Sequence, residues 1–114
     1  MRQKDKPMVS VVTPSYNTGS YIEATIKSVL IQEYENFEHI IIDGNSIDET
    51  LDILKKYPHL NWVSESDNGQ SEALNKGFKK VKGDYIIWLN SDDLLTKGAI
   101  NHSLKYLQEN PNTD

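Results

Sequence analysis

The stretch "FEHIIIDGNSIDET", residues 37–50, decides how the chain folds. Its first half carries a run of β-branched isoleucines and reads as a strand, 37–43. Its second half turns at Asp43-Gly44, then offers Ser46 with Glu49 three residues on, the spacing of a capping box at a helix start. A strand that passes through a short polar turn into a helix is half of a βαβ unit.

The same alternation extends in both directions. Upstream, "VSVVT" (9–13) is a strand, followed by a helix over about 20–32 in which Ile22, Ile26, Val29 and Leu30 recur at helical spacing. Ser20 and Glu23 repeat the capping-box pattern there. Downstream, 47–57 reads as a helix with Ile47, Leu51 and Leu54 on one face, and "LNWVSE" (60–65) as a weaker strand. "QSEALNKGFKKV" (70–81) is the third helix, "YIIWLN" (85–90) the fourth strand, and 97–109 the last helix. Strands alternating with helices argue for right-handed crossovers and a parallel sheet.

At 114 residues the chain has the size of one domain. Its 12 Lys and Arg against 17 Asp and Glu give a net charge of −5, so it has no overall attraction for nucleic acid or an anionic membrane. Cysteine is absent, which removes disulfides and thiolate metal sites, and His39, His59 and His102 share no metal-ligand spacing. The apolar run after the charged N-terminus is too short for a signal peptide core or a membrane span. The chain therefore reads as cytoplasmic, free in solution or working at the inner face of a membrane.

In an open parallel sheet the carboxyl ends of all strands share one rim, where ligands bind. That rim collects "TPSYN" (13–17), "DGNS" (43–46), "ESDNG" (65–69) and "NSDD" (90–93). Asp92 and Asp93 admit two readings. They form a solvated turn leading into the last helix, or they hold a divalent cation. Like charges about 4 Å apart repel by roughly 4 kcal/mol at an effective dielectric of about 20, so a hard cation such as Mg2+ or Mn2+ is the natural companion of the pair. Asp43 is either a turn residue or an acceptor for a base N–H or ribose hydroxyl, and Tyr16 either caps the core or offers its ring face to a base. For Asp67 and Gln70 the loop reading leads. Lys76, Lys79, Lys80 and Lys82 read as the solvated face of a helix.

Taken in order, "VSVVTPSYN", "SVLIQEYENFEHIIIDGNSIDET", "SDNGQSEALNKGF" and "GDYIIWLNSDDLL" resemble the nucleotide-sugar-binding part of family 2 glycosyltransferases of the GT-A fold, over residues 8–100. The resemblance implies an α/β, Rossmann-like three-layer sandwich whose mostly parallel sheet of about four strands runs in the order 3-2-1-4, truncated relative to the whole family domain. It implies a nucleotide diphosphate sugar as donor, UDP-linked by preference, with Mn2+ or Mg2+ as cofactor and a glycan or lipid-linked acceptor. By position, Pro14 and Tyr16 match contacts to the base or ribose, and Asp43 matches the acid that accepts from the base ring. Asp67, Gln70 and Ser71 look similar to the segment lining the base and diphosphate. Asp92 matches the ribose and metal environment, and Asp93 the metal ligand.

Some positions depart from the family pattern. Ser91 stands where the first acid of Asp-x-Asp is expected, which shifts the metal's hold toward Asp93, and Asn45 and Ile47 replace the more usual Gly and Thr. Asn tolerates a left-handed backbone, so the turn survives. An inverting transfer also needs a carboxylate base to deprotonate the acceptor, and in this family that residue belongs to a later, acceptor-binding half. The chain is thus expected to be a single domain, 1–114, that binds the donor and holds no catalytic residue. A donor-binding domain without transfer activity is the alternative. A receiver-type signalling module fits poorly, because it would place its acidic pair after strand one, where "TPSYN" stands. With strand order 3-2-1-4, the apolar fourth strand lies at an edge, so the isolated piece is expected to pair or aggregate there, a homodimer through residues 85–89 being a consequence of truncation.

Overall fold

The computed structural model describes residues 7–66 and 70–109. Four strands, β1 (Val9–Ser15), β2 (Phe37–Asp43), β3 (Asn61–Ser64) and β4 (Tyr85–Trp88), alternate with four helices, α1 (Ile22–Leu30), α2 (Thr50–Leu54), α3 (Gln70–Lys80) and α4 (Ala99–Glu109). The sheet order is β3-β2-β1-β4, and every pairing is parallel. The fold class and strand order expected from the sequence are those observed.

Register explains the layers. Val11 pairs with His39 and Thr13 with Ile41, so these side chains share one face, while Val12, Ile40 and Ile42 point to the other. On the first face Val9 and Val11 pack with Val29 of α1 and with Ile100 and Leu104 of α4. Ile41 packs there with Ile22 and Ile26 of α1 and Ile53 and Leu54 of α2. The opposite face, built on Val12, Ile40 and Ile42, is covered by α3. β2 is central, and six of its seven residues are buried, the polar Glu38, His39 and Asp43 together with the isoleucine run.

α3 lies so close to the sheet that a Cβ at Gly77 would stand 2.5 Å from Val12 Cγ1. That contact accounts for a glycine inside a helix, where it is otherwise unfavourable by about 1 kcal/mol relative to alanine. The buried Glu38 on the same face is satisfied: its carboxylate accepts from Ser10 Oγ at 2.5 Å and from the Lys82 N–H at 2.7 Å. The acid thereby ties the connection between α3 and β4 to the sheet.

The helix starts differ from the expectation. Neither capping box forms: the N-caps are Tyr21 and Glu49, without side-chain cap bonds. Glu23 instead accepts from the Tyr57 hydroxyl at 2.5 Å, and Ser46 is drawn into bonds with Asp43. α2 begins only at Thr50, so Ile47 lies outside it and is 87% exposed. Asp48 holds that start, accepting from the Thr50 N–H at 2.9 Å and the Thr50 hydroxyl at 2.5 Å. Leu30, expected on the apolar face of α1, is exposed. β4 is an edge strand, and its Ile86 is exposed.

Candidate donor site at the carboxyl rim

All four strands run the same way, so their carboxyl ends bring Ser15–Asn17, Asp43–Ser46, Ser64–Ser66 and Leu89–Asp93 to one rim. Pro14, opposite Ile42 in the ladder, is half-buried, and Tyr16 beyond it is exposed. Gln70 and Ser71 open α3. Asp67 lies outside the described residues.

Asp43 is fully buried at the tip of β2. Its Oδ1 accepts from Ser15 Oγ and Ser46 Oγ, both at 2.6 Å, and its Oδ2 from the Ser46 N–H and Ser64 Oγ, both at 2.8 Å. A carboxylate offers about four acceptor sites, and here donors from the ends of β1, β2 and β3 take them all. The acid expected to face the base thus has no acceptor site free in this arrangement. It acts as the hub on which three strand ends converge.

Around the hub the first two loops are stitched together. Asn17 (φ 50°) and Asn45 (φ 65°) adopt the left-handed backbone that asparagine tolerates. The Asn17 N–H donates to Ser46 Oγ at 2.8 Å, and Asn17 Oδ1 accepts from the Ile47 N–H at 2.9 Å. The Gly19 N–H donates to Asp48 Oδ2 at 3.0 Å. The Thr50 hydroxyl, followed by backbone bonds from Thr50 and Gly19, holds the Asp48 carboxyl below the usual aspartate range. Tyr16 therefore sits on a braced loop.

The acidic turn has a different support. The Leu89 N–H continues the ladder onto Val12 O at 2.9 Å, and the Asp93 N–H closes a turn on Asn90 O at 3.0 Å. Ser91 is buried while Asp92 and Asp93 are exposed. The carbonyls of Ser91 and Asp93 face α1, where Thr25 Oγ1 lies 2.9 and 2.6 Å from them. Further along, Ser28 Oγ accepts from the Leu95 N–H, and the Gln32 amide bonds Thr96 O and the Ile100 N–H. Thr25 and Ser28 on α1, and Gln32 just beyond its end, were not singled out in the sequence, although they recur at helical spacing beside the apolar stripe.

Asp93 Oδ2 has one long contact, 3.4 Å from Asn90 Nδ2. Among the described residues no cluster of three acids or histidines forms a self-contained metal cage. Two adjacent, outward-facing carboxylates nonetheless suit Mg2+ or Mn2+, which are usually held by one or two carboxylates and completed by substrate phosphates. Lys76 is bonded to Glu65 at 3.0 Å and donates to Ser66 O at 3.3 Å, at the end of β3. Lys79, Lys80 and Lys82 line a cleft of about 560 Å³ with Leu60 and Trp62, at the amino ends of the strands and so away from this rim. Among the described residues no helix is long and apolar enough to cross a membrane.

The chain resembles known proteins in sequence and in fold. The putative teichuronic acid biosynthesis glycosyltransferase TuaG of Bacillus subtilis is 40% identical over 110 residues, which cover 91% of this chain and 43% of TuaG. The crystal structure of S. aureus TarS 1–349 in complex with UDP-GlcNAc superposes with a TM-score of 0.82 at 28% identity, over 90% of this chain and 31% of that one. The mannosyltransferase PcManGT of Pyrobaculum calidifontis, in complex with GDP-Man and Mn2+, gives 0.81 at 25% identity, over 90% and 32%. The chain spans less than half the length of each of these relatives. Its parallel sheet and flanking helices are those of the GT-A fold. The family model for glycosyl transferase family 2 matches residues 10–114, and the chain belongs to that family.

Proposed function

We propose that this chain is the donor-binding part of a longer inverting glycosyltransferase and holds a nucleotide diphosphate sugar, UDP-linked by preference, on the carboxyl rim with a divalent cation. The observation that carries the reading is the acidic turn: Asp92 and Asp93 are both exposed, side by side at the tip of β4. A divalent ion beside the two carboxylates would relieve the repulsion between them. Mn2+ or Mg2+ would be held by Asp93, with Asp92 beside it near the ribose. When bound, the ion would neutralise charge on the departing diphosphate.

The remaining roles follow from position. The exposed ring of Tyr16 stacks on the base, and Pro14 offers its backbone carbonyl to base or ribose. Asp43 shapes the wall of the base pocket by fixing Ser15, Ser46 and Ser64. For Asp67, Gln70 and Ser71 a role toward the base and diphosphate rests on the family resemblance alone. The acceptor is a glycan or a lipid-linked saccharide, a reading supported by the role that TuaG's name records. The general base that deprotonates it belongs to residues outside this chain.

The test is calorimetric titration of the intact protein that carries this chain with UDP, GDP and ADP, each with manganese and with EDTA. Selective, manganese-dependent binding of UDP, lost in Asp93→Asn, is the expected result. Tyr16→Ala should weaken UDP binding in both conditions by about 1–3 kcal/mol, the usual worth of an aromatic face to a base. Equal binding of the three nucleotides, or binding indifferent to manganese and to Asp93→Asn, overturns the reading.

A further inference from the structure

We infer that Thr25, with Ser28 behind it, is a positioning residue for the metal-facing carboxylates, acting from the buried side of α1. The inference rests on the donor-site reading and says how that site is kept in shape.

α1 buries Ile22, Ile26 and Val29, as an amphipathic helix should. Beside them Thr25, Ser28 and Gln32 are also buried, at 0%, 7% and 6% exposure. Apolar side chains would fill those positions without any demand for partners, whereas buried hydroxyls and amides must be hydrogen-bonded. Some of their partners lie in the same stretch of chain, Tyr21 O for Thr25, Thr25 O for Ser28 and Ser28 O for Gln32; the others lie on the segment that carries the acidic pair. Thr25 Oγ1 is 2.9 Å from Ser91 O and 2.6 Å from Asp93 O. Ser28 Oγ donates to Thr25 O at 2.7 Å and accepts from the Leu95 N–H at 2.9 Å. Gln32 donates to Thr96 O at 2.8 Å and accepts from the Ile100 N–H at 3.2 Å.

The consequence is directional. The Thr25 hydroxyl has one proton to donate and lies closest to the Asp93 carbonyl; that bond, with the Leu95 N–H held by Ser28, keeps the turn oriented toward α1 and leaves the side chains of Asp92 and Asp93 facing solvent on the rim. A small divalent ion demands near-ideal geometry from few ligands, so the backbone that carries a ligand must be held nearly still. Thr25 bonds the carbonyl of Asp93 itself, and Ser28 fixes the backbone two residues on. Gln32 grips the start of α4, farther from the carboxylates, and serves the docking of that helix.

The experiment compares UDP affinity in manganese with that in EDTA, in the intact protein, for wild type, Thr25→Val, Thr25→Ser, Ser28→Ala and Gln32→Leu, with thermal melting as a check on folding. Thr25→Val should reduce the manganese-dependent gain in affinity at least tenfold while leaving affinity in EDTA within twofold. Thr25→Ser, which keeps the hydroxyl, should restore the gain, and Gln32→Leu should lower the melting temperature with the gain intact. A folded Thr25→Val protein with the full gain overturns the inference and leaves the donor reading standing. Should Thr25→Val fail to fold, Ser28→Ala decides: a loss of threefold or more supports the inference and an unchanged gain overturns it. A wild-type protein that binds UDP equally in manganese and EDTA overturns both.

Discussion

Ser46 bonds Asp43 twice, its N–H reaching Oδ2 at 2.8 Å and its hydroxyl reaching Oδ1 at 2.6 Å. The hydroxyl also accepts from the Asn17 N–H, so one short side chain links the loop after β1 to the tip of β2. Ser15 and Ser64 complete the shell. Asp43→Asn should therefore destabilise the protein by about 2–3 kcal/mol, because an amide NH2 would face buried donors where a carboxylate oxygen now accepts from them. Urea denaturation measures this. A change below about 0.5 kcal/mol would show that the hub does not hold the rim.

Gly77→Ala sets two effects against each other. Alanine favours the helix by about 1 kcal/mol, but its Cβ would meet Val12 Cγ1 at 2.5 Å, and overpacking a core commonly costs about 1–3 kcal/mol. The clash is with a strand side chain that cannot swing away, so the net effect should be destabilising. Removing the obstruction with Val12→Ala should make the second change at Gly77 neutral or favourable. A double-mutant cycle on the two positions checks this, and additive effects would contradict the packing account.

His39 is buried in β2, with Nε2 2.8 Å from Thr13 Oγ1 and Nδ1 without a partner among the described residues. Burial, with a smaller contribution from His59, pushes its pKa from 6.5 down to about 3. Below pH 6.5 the unfolded chain then takes up a proton that the folded chain refuses, so stability falls as the pH drops from about 6.5 toward about 3. The slope from this group approaches about 1.4 kcal/mol per pH unit. Denaturation at pH 7, 6 and 5 should show a shallower fall for His39→Gln than for wild type. Parallel curves would mean that His39 is protonated in the fold.

β4 presents an unpaired outer edge among the described residues, and its Ile86 is 45% exposed. Residues 1–114 prepared alone should associate as concentration rises, and Ile86→Lys, a charge of the kind that protects natural sheet edges, should suppress this. Sedimentation at several concentrations distinguishes the outcomes. A wild-type fragment that stays monomeric throughout would remove the edge as an association surface.

The strands were legible because each carries its own local signal. β2 begins and ends where its isoleucine run and Asp43 place it, and the crossover pattern requires a parallel sheet whose polar turns share one rim. The helix starts were less legible: Ser20 and Ser46 have capping-box spacing, but the Ser46 hydroxyl donates to Asp43, three residues back, and accepts from the Asn17 N–H of the loop after β1, while Glu23 is taken by Tyr57.

What the chain determines by itself is thus the order of its elements and the gathering of Tyr16, Asp43, Asp92 and Asp93 at the carboxyl ends of strands. Tertiary structure alone decided what each does there. It closed Asp43 within donors from three strands and turned the polar stripe of α1 toward the acidic turn. The reason is physical: periodicity records which face of an element is buried, whereas a hydrogen bond between Thr25 and Asp93, 68 residues apart, leaves no local pattern and exists only once the sheet has brought them together.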